Sequence, residues 1–393
     1  MLEEAAEARG DEHEVTPVEL FFDLVFVFAI TQVTRLFVQE PTWLGLLRGL
    51  LVLAAVWWAW NSFAWLTSAE NIDEGGVRLA ILGTTALMLG VALAVPRAFG
   101  RDAILFAVAY FLVRAMHVVL SLIVRRDDSE SREALLRFIP TALIGASLLV
   151  IAAFAGGDVR IALWVVALVV DYSGPAVIGM GRGWAVAPEH FAERYGLIIL
   201  IALGESVVAI GVAANFTLNT EELLAAALGM ITVSALWWLY FDVGAIFVRT
   251  RFRATRGADR ARLARDAYSY LHLPLVGGIV LFAFGLETTL SHPGAGLHTV
   301  PAVALCGGAA LYLLAHVAVL RRATRRLFRR RTWGTLALVI LIPAALYLPA
   351  LAALALVTAV CAGVAGAEAL SWREDRLRVR HPERAEEERP SIA

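Results

Sequence analysis

Long apolar runs constrain this chain more than any other feature. They recur along the whole sequence, each about 18–25 residues long, which is close to what a helix needs to cross the hydrocarbon core of a bilayer. Hydrophobic residues make up 59% of the 393 residues, whereas a soluble domain is usually about 45–50% apolar. The pattern predicts an all-α, polytopic integral membrane protein.

The number of runs predicts about 12 transmembrane helices. The runs cover residues 18–38, 43–67, 78–95, 102–124, 137–155, 160–180, 191–214, 221–248, 268–289, 299–320, 332–348 and 350–369. Only the sequence LPA at 348–350 divides the last two runs. Residues 332–369 could therefore form two spans, or one span and a re-entrant segment.

The arginines predict which ends of the helices face the cytoplasm. They concentrate in the segments 125–137, 249–265 and 321–331, while the segments 215–221 and 290–298 contain none. Arginine-rich loops stay on the cytoplasmic side of a membrane, so both termini are expected in the cytoplasm, and the protein in the bacterial cytoplasmic membrane. A specific ligand for these arginines is the alternative, but topology already accounts for them.

The two halves of the chain predict an internal repeat. Asp23 precedes the pair Trp57–Trp58 by about the same distance as Glu205 precedes Trp237–Trp238. Tyrosine and histidine also recur at corresponding places, as Tyr110 with His117 and as Tyr312 with His316. With six spans in each half, the two repeats would share one orientation in the membrane. Chance similarity between Trp-rich apolar helices is the alternative.

This repeat gives a domain plan with four parts. We expect an acidic cytoplasmic N-terminus, two six-helix repeats and a charged cytoplasmic tail. Their boundaries fall at 1–14, 15–185, 186–370 and 371–393.

Ionisable residues inside apolar runs are candidate site residues, because a charge facing lipid costs several kcal/mol. Arg114, Asp171 and Glu205 fall near mid-membrane. Arginine does not give up its proton in proteins, so Arg114 is expected to pair with one of these two carboxylates. Such a pair could fix helix packing only, or it could serve a substrate or a proton relay. The other candidates are Asp23, His117, Glu287, His316 and, near the cytoplasmic ends, Glu19, Asp242 and His272.

The first helix should place its two carboxylates inward. At about 100° per residue, Glu19 and Asp23 share a face with Ile30 and Thr34, and Phe21 and Phe28 lie opposite. Since neither face looks made for lipid alone, we expect this helix at the centre of the bundle.

Glycines beside two of the candidate residues suggest further features. Gly204 and Gly211 flank Glu205 and could allow close helix approach or expose backbone carbonyls to an ion. Gly174 and Pro175 follow Asp171 and suggest a kink or a turn that lines a cavity.

Other classes of protein lack support in the sequence. We find no catalytic motif, so no enzyme is expected, and the singly spaced histidines and two cysteines predict no metal site, no cofactor and no disulfide framework. The net charge of −1 gives no indication of nucleic acid binding. No cleaved signal peptide is expected. A homo-oligomer is possible on this evidence.

Two long motifs resemble a known family. The segments VTPVELFFDLVFVFAITQVTRL (15–36) and HFAERYGLIILIALGESVVAIGVAA (190–214) resemble the hallmarks of the bacterial low temperature requirement protein A (LtrA) family. The segments WWLYFD (237–242) and YLHLPLVGGIVLFAFG (270–285) fit the same pattern. The resemblance implies a multi-pass membrane protein named for a growth phenotype and without an agreed biochemical activity.

The first helix also resembles a second family. FFDLVFVFAIT (21–31) is similar to the FSD-type motif of the lysosomal and bacterial potassium channels, which contain two six-helix repeats. In those channels an isoleucine five residues after the motif aspartate forms the pore constriction. Phe28 stands at that position here and departs from it, whereas Ile210, five residues after Glu205, agrees.

Together these observations favour a permeation pathway, either a channel or a transporter, for a cation or proton. Its candidate residues are Asp23, Glu205, Arg114, Asp171, Phe28 and Ile210, supported by Glu19, Trp57, Trp58, Trp237, Trp238, Asp242, His117 and His272. The alternative is a non-transporting membrane protein, a stress-related sensor or scaffold, whose buried charges only pack the bundle.

Overall fold

The computed structural model describes residues 15–68, 75–177, 179, 184, 186–213 and 219–371, and these residues form a bundle of twelve long α-helices. The helices of the first half are α1 (Pro17–Gln39), α2 (Trp43–Thr67), α3 (Gly75–Ala94), α4 (Ala103–Val124), α5 (Ser129–Phe154) and α6 (Gly157–Val177). Those of the second half are α7 (Pro188–Ala213), α8 (Thr220–Ala254), α9 (Gly257–Ser291), α10 (Thr299–Thr324), α11 (Arg329–Ala345) and α12 (Ala350–Ser371).

Eleven of these helices are long and apolar enough to cross a membrane, which confirms an all-α, multi-pass membrane protein. The remaining helix, α11, has 17 residues and is therefore about 26 Å long at 1.5 Å per residue. At its start Arg330 donates to the carbonyl of Ala367 near the end of α12, at 2.7 Å. Beyond its end, the backbone N–H of Ala350 donates to the carbonyl of Ala295, between α9 and α10, at 2.8 Å. Residues 332–369 therefore contain two helices that both run from one end of the bundle to the other.

The helix starts follow local sequence signals. Thr16 caps α1 by accepting a hydrogen bond from the backbone N–H of Glu19, whose carboxylate in turn accepts from the backbone N–H of Thr16. Asn219 and Glu222 form the same reciprocal arrangement at α8. A cap of this kind is worth about 1 kcal/mol. It also fixes the position of Glu19 in the first turn of α1.

Helices α9 and α10 form the most buried part of the bundle, and glycines allow their close approach. A Cβ at Gly308 would lie 2.5 Å from the backbone nitrogen of Phe282, and one at Gly285 would lie 2.6 Å from the Cα of Leu305. The sequence predicted that helix α1 lies at the centre of the bundle, and this prediction is wrong. Its Phe21 and Leu24 are 51% and 61% exposed, so one face of α1 points out of the bundle.

The glycines near the candidate site residues do not all have the roles that the sequence suggested. A Cβ at Gly204 or Gly211 would meet no atom within 4 Å, so neither glycine permits a close helix contact. Gly174 does, because a Cβ there would lie 2.5 Å from Thr141 Oγ1 of α5. Pro175 falls in the last turn of α6 and does not break the helix before that point.

Two helices contain π-helical turns. Residues Leu239–Gly244 interrupt α8, and residues Ala264–Tyr270 interrupt α9. Single π turns in α-helices are frequently found at functional sites. Here the two π-helical turns of α8 and α9 face a shared cavity, which is lined by Tyr240, Tyr268 and His272.

Corresponding pairs of helices pack against each other in the two halves of the chain. In the first half α1 packs on α3, α3 on α4, α4 on α5, and α5 on α6. In the second half α7 packs on α9, α9 on α10, α10 on α11, and α11 on α12.

Candidate functional site

One arginine joins two carboxylates at the interface of α1 and α7. Arg194 Nη1 lies 2.7 Å from Glu19 Oε1, and Arg194 Nη2 lies 2.7 Å from Asp23 Oδ1. None of the three residues is more than 1% exposed. We call Glu19, Asp23, Arg194 and His190 the inner charge cluster. Glu19 was expected to reach the edge of the membrane, but it is fully enclosed.

Other donors complete most of this cluster. The indole N–H of Trp60 donates to Asp23 Oδ1 at 2.8 Å, and Arg194 also donates to Thr67 Oγ1 at 2.8 Å. His190 Nε2 lies 3.0 Å from Glu19 Oε2. A carboxylate can only accept, so Nε2 carries a proton. Two carboxylates face one guanidinium, and a protonated His190 would balance the charge of the cluster.

Matching helix spacings bring the cluster together. Glu19 and Asp23 are four residues apart on α1, and His190 and Arg194 are four residues apart on α7. Residues at this spacing lie one above the other on a helix face. Both helices begin at a proline, so the acids of α1 and the bases of α7 stand at the same distance from their helix starts. The residue of α7 that corresponds to Asp23 on this basis is Arg194 and not Glu205.

A second polar network adjoins the cluster and connects α2, α7 and α9. The hydroxyl of Tyr195 donates to Asn61 Oδ1 and also contacts Ser269 Oγ at 3.3 Å. The indole N–H groups of Trp57 and Trp65 donate to the carbonyl and the hydroxyl of Ser269, both at 2.8 Å. The predicted site residue Trp57 therefore fixes the π-helical turn of α9 against α2.

The mid-membrane arginine pairs as predicted with one of its two candidates. Arg114 Nη2 lies 2.6 Å from Asp171 Oδ1, and Nη1 donates to Ser62 Oγ. The hydroxyl of Tyr110 donates to Asp171 Oδ2 at 3.3 Å. Trp58 stacks on Tyr172, with ring centroids 4.0 Å apart. The Arg114–Asp171 pair is enclosed by side chains from α2, α4 and α6.

Glu205 is buried near the middle of α7 and bonds to a hydroxyl group. It is 3% exposed, and its Oε2 lies 2.6 Å from Thr31 Oγ1 of α1. The same Thr31 Oγ1 lies 3.1 Å from the carbonyl of Val27. A hydroxyl group has one proton to donate, so an ionised Glu205 would leave one of these two contacts without a hydrogen. A protonated Glu205 donates to Thr31, which then donates to Val27, and both contacts become hydrogen bonds.

The surroundings of Glu205 also favour its neutral form. An ionised carboxylate that is buried without a counter-ion costs several kcal/mol. Glu287 of α9 is half-buried and close enough to Glu205 that the two carboxylates would repel each other if both were ionised. Glu205 and Asp23 are thus both turned into the bundle, with polar partners from a neighbouring helix.

Histidines lie beside the two π-helical turns. His272 Nδ1 donates to the carbonyl of Ala267 at 2.8 Å, so its Nε2 accepts from the hydroxyl of Tyr240 at 2.9 Å. His316 packs against Tyr240 with ring centroids 5.6 Å apart, and its Nδ1 has no hydrogen-bond partner among the described residues. Asp242 is buried in the π turn of α8.

The remaining predicted residues occupy varied positions. His117 is buried and contacts Ser121 at 3.4 Å. Phe28 and Ile210 are half-buried against the core. Trp237 and Trp238 are 41% and 39% exposed, unlike Trp57 and Trp58, so the two tryptophan pairs do not have corresponding surroundings.

Sequence reasoning missed three buried charges: Arg194 and the pair Arg331–Glu368. Arg331 Nη2 lies 2.7 Å from Glu368 Oε2 and 3.0 Å from the carbonyl of Leu239, at the start of the π turn of α8. One sequence pattern could have drawn attention to Arg194: His190 and Arg194 are four residues apart, as are the two acids on α1. Within the described residues, no three His, Cys, Asp or Glu side chains are grouped to hold a metal ion.

The fold and these contacts define a polytopic helical membrane protein whose buried ion pairs join different helices. The family of bacterial low temperature requirement A protein (LtrA) matches residues 14–366, and the chain belongs to this family. It is 31% identical over 347 residues to an uncharacterized protein of Rhizobium meliloti (strain 1021), and the match covers 82% of this chain and 81% of that protein. No solved structure matches the chain.

Proposed function

We propose that the protein forms a gated permeation pathway for protons along the interface of α1 and α7. The observation that carries the proposal is the contact of Glu205 with Thr31 at 2.6 Å, because its geometry favours a protonated carboxylic acid at mid-membrane. Such an acid can release and take up a proton. Ionisable residues within membrane helices commonly mark proton relays in pumps and transporters.

The inner charge cluster supplies the second end of the pathway. His190 is the imidazole of this cluster, and its Nδ1 contacts Ser68 Oγ at 3.0 Å, at the end of α2. An imidazole in this place can exchange protons between the cluster and the arginine-rich end of the bundle. From Asp23 to Thr31 the helix rises about 12 Å, at 1.5 Å per residue.

The stretch between the two ends is closed, which favours a gated transporter over an open channel. Phe26 and Ile30 of α1 and Ile198 of α7 lie between the cluster and Glu205, and none is more than 2% exposed. A proton can cross this stretch only if α1 and α7 move apart or admit water. Movement of this kind is the expected behaviour of a transporter that alternates between two states.

Proton flux into proteoliposomes with an interior pH-sensitive dye tests the proposal. Glu205→Gln should abolish flux and leave folding intact, because the amide N–H still donates to Thr31 but has no acidic proton. Glu193→Gln is the matched control, since Glu193 is exposed on the same helix, and it should keep the flux. Wild-type flux that survives Glu205→Gln, or no flux in any of the three proteins, would contradict the proposal.

A packing role is the second candidate, and one observation favours it. The pairs Arg114–Asp171 and Arg331–Glu368 are enclosed and join different helices, which is what a purely structural pair requires. On this reading the protein is a non-transporting sensor or scaffold. Neither candidate gives the protein a catalytic role.

We further propose that the chain consists of two six-helix repeats with both termini in the cytoplasm of a bacterium. The shared order of helix neighbours in the two halves supports the repeat. The arginine-rich connections support the orientation. In this arrangement α1 and α7 are equivalent helices, and the inner charge cluster lies between them.

A further inference from the structure

A groove with an apolar floor lies between the ends of α8 and α10, at the arginine-rich end of the bundle. Its volume is about 600 Å³, within the range of roughly 300–1,000 Å³ that small-molecule sites occupy. Ile246, Phe247 and Phe328 form the apolar part. The polar part contains Arg251, Arg325 and Arg326.

The arginines of this groove have no acidic partner of their own, because Asp259, the acid that acts on Arg251, already pairs with Arg262. Arg251, Arg325 and Arg326 are exposed and form no ion pair with a described residue, and no acidic residue lines the groove. Other arginines at this end do have acidic partners. Arg253 pairs with Glu189, and Arg322 pairs with Asp266. The three groove arginines are therefore available to an anion from outside the described chain.

The groove continues into a second basic recess. That recess shares Arg326 and Phe328 with the groove and adds Arg329 and Arg330. Its one acidic lining residue, Glu368, already pairs with Arg331. The arginines lie where α8 and α10 end and α11 begins, just beyond the apolar runs 221–248 and 299–320. Arginines near the ends of membrane helices extend toward the headgroups, so one lipid could place an acyl chain on the apolar floor and its headgroup at the charged rim.

We propose that this groove binds an anionic phospholipid. The phosphate-bearing headgroup would contact Arg251, Arg325 and Arg326, and an acyl chain would lie on Phe247 and Phe328. Basic recesses between membrane helices bind anionic headgroups by this chemistry. A soluble anion would make no use of the apolar floor, and a zwitterionic lipid would leave the net positive charge unbalanced.

Thermal unfolding of the full-length protein in neutral detergent tests the proposal, with phosphatidylglycerol or phosphatidylcholine added. Phosphatidylglycerol should raise the unfolding midpoint, and phosphatidylcholine should not. Replacing all three arginines (R251Q, R325Q and R326Q together) should weaken apparent phosphatidylglycerol affinity by roughly 10–100-fold. The matched control replaces three exposed arginines elsewhere at the same end, Arg126, Arg132 and Arg137, each by glutamine, and should keep the affinity.

The comparison remains decisive if the variants fold less well. Each protein is measured relative to its own midpoint without lipid, so a general loss of stability cancels. Equal stabilisation by the two lipids, or equal loss of affinity in both triple variants, would overturn the proposal. Full stabilisation by glycerol phosphate alone would also overturn it, because a soluble anion would then account for the site.

Discussion

At the residue scale, the buried charges differ in whether their partners neutralise them. Arg114 with Asp171 and Arg331 with Glu368 are one-to-one pairs. Arg194 instead serves two carboxylates, and Asp23 Oδ2 has no hydrogen-bond partner among the described residues. Buried polar atoms are usually paired. Within the described part of the chain, Arg114 Nε and Arg331 Nη1 also lack a partner, so the unfilled acceptor alone does not set Asp23 apart. The two-to-one ratio of carboxylates to guanidinium, and Glu205 without an ion pair among the described residues, distinguish the α1–α7 interface from the other buried charges.

Removing Arg194 should destabilise the protein strongly. Arg194→Met leaves Glu19 and Asp23 buried without their cation, and breaking a buried ion pair from one side costs about 3–5 kcal/mol. We expect a large fall in the midpoint of thermal unfolding in detergent. Arg253→Met is the control, because Arg253 is 57% exposed in its pair with Glu189 and exposed pairs are worth about 0–1 kcal/mol. Equal losses in the two variants would contradict the structural role of Arg194.

The inward direction of Asp23 and Glu205 could be predicted from the sequence, but most of their partners could not. The prediction holds because a carboxylate facing lipid costs several kcal/mol and leucine avoids that cost. The indole N–H of Trp60 is one of the donors that Asp23 meets inside the bundle. Arg194 was missed because pairing depends on which helices touch, and the spacing within one helix does not report that. For the same reason the sequence left Arg114 with two candidate partners, and only the fold brings Asp171 of α6 within 2.6 Å of Arg114 of α4.

At the element scale, spans are more predictable than their interruptions. All twelve predicted apolar runs overlap helices, since the bilayer fixes their length. The π turns at Leu239–Gly244 and Ala264–Tyr270 have no such signal, because one extra residue in a turn leaves composition unchanged. Tertiary contacts hold these turns in place: Arg331 donates to the carbonyl of Leu239, and Trp57 donates to the carbonyl of Ser269.

The glycine contact between α9 and α10 should tolerate no side chain. In Gly308→Ala the new Cβ would lie 2.5 Å from a backbone nitrogen, so the helices must separate. Overpacking typically costs about 1–3 kcal/mol, and the unfolding midpoint should fall. Gly363→Ala on α12 is the control, because its Cβ meets nothing within 4 Å and alanine favours helix by about 1 kcal/mol. A stable Gly308→Ala protein would mean that α9 and α10 are farther apart than described.

At the scale of the whole molecule, the loops between helices fall into two sets, one at each end of the bundle, as contacts at the helix ends show. On one side, Arg265 donates to the carbonyl of Pro175 in the last turn of α6, and the backbone N–H of Ala187 donates to the carbonyl of Ser68 after α2. On the other side, Arg160 donates to the carbonyl of Phe99 between α3 and α4. Each set belongs to one end of the bundle, as expected when successive helices cross the bundle in opposite directions.

Arginines at the second end have local roles and do not contradict the proposed orientation. Arg48 pairs with Glu40 and Arg97 with Asp102, so each charge is balanced. Arg160 donates to the carbonyl of Ala155 as well as to that of Phe99. The connections at the first end carry many more arginines, and the bias of arginine between loops sets orientation.

Cysteine labelling of whole cells should therefore give opposite results for the two ends. Arg256→Cys lies between α8 and α9, and Arg101→Cys lies between α3 and α4; both positions are exposed. The native Cys306 and Cys361 are buried, so a membrane-impermeant maleimide should report only the introduced thiol. We expect Arg101→Cys to react in intact spheroplasts and Arg256→Cys to react only after the membrane is opened, because the proposed orientation places the arginine-rich end in the cytoplasm. The reverse pattern would invert the orientation. It would also place His190 and the inner charge cluster on the outer side, so that the proposed pathway would receive protons from outside the cell through His190.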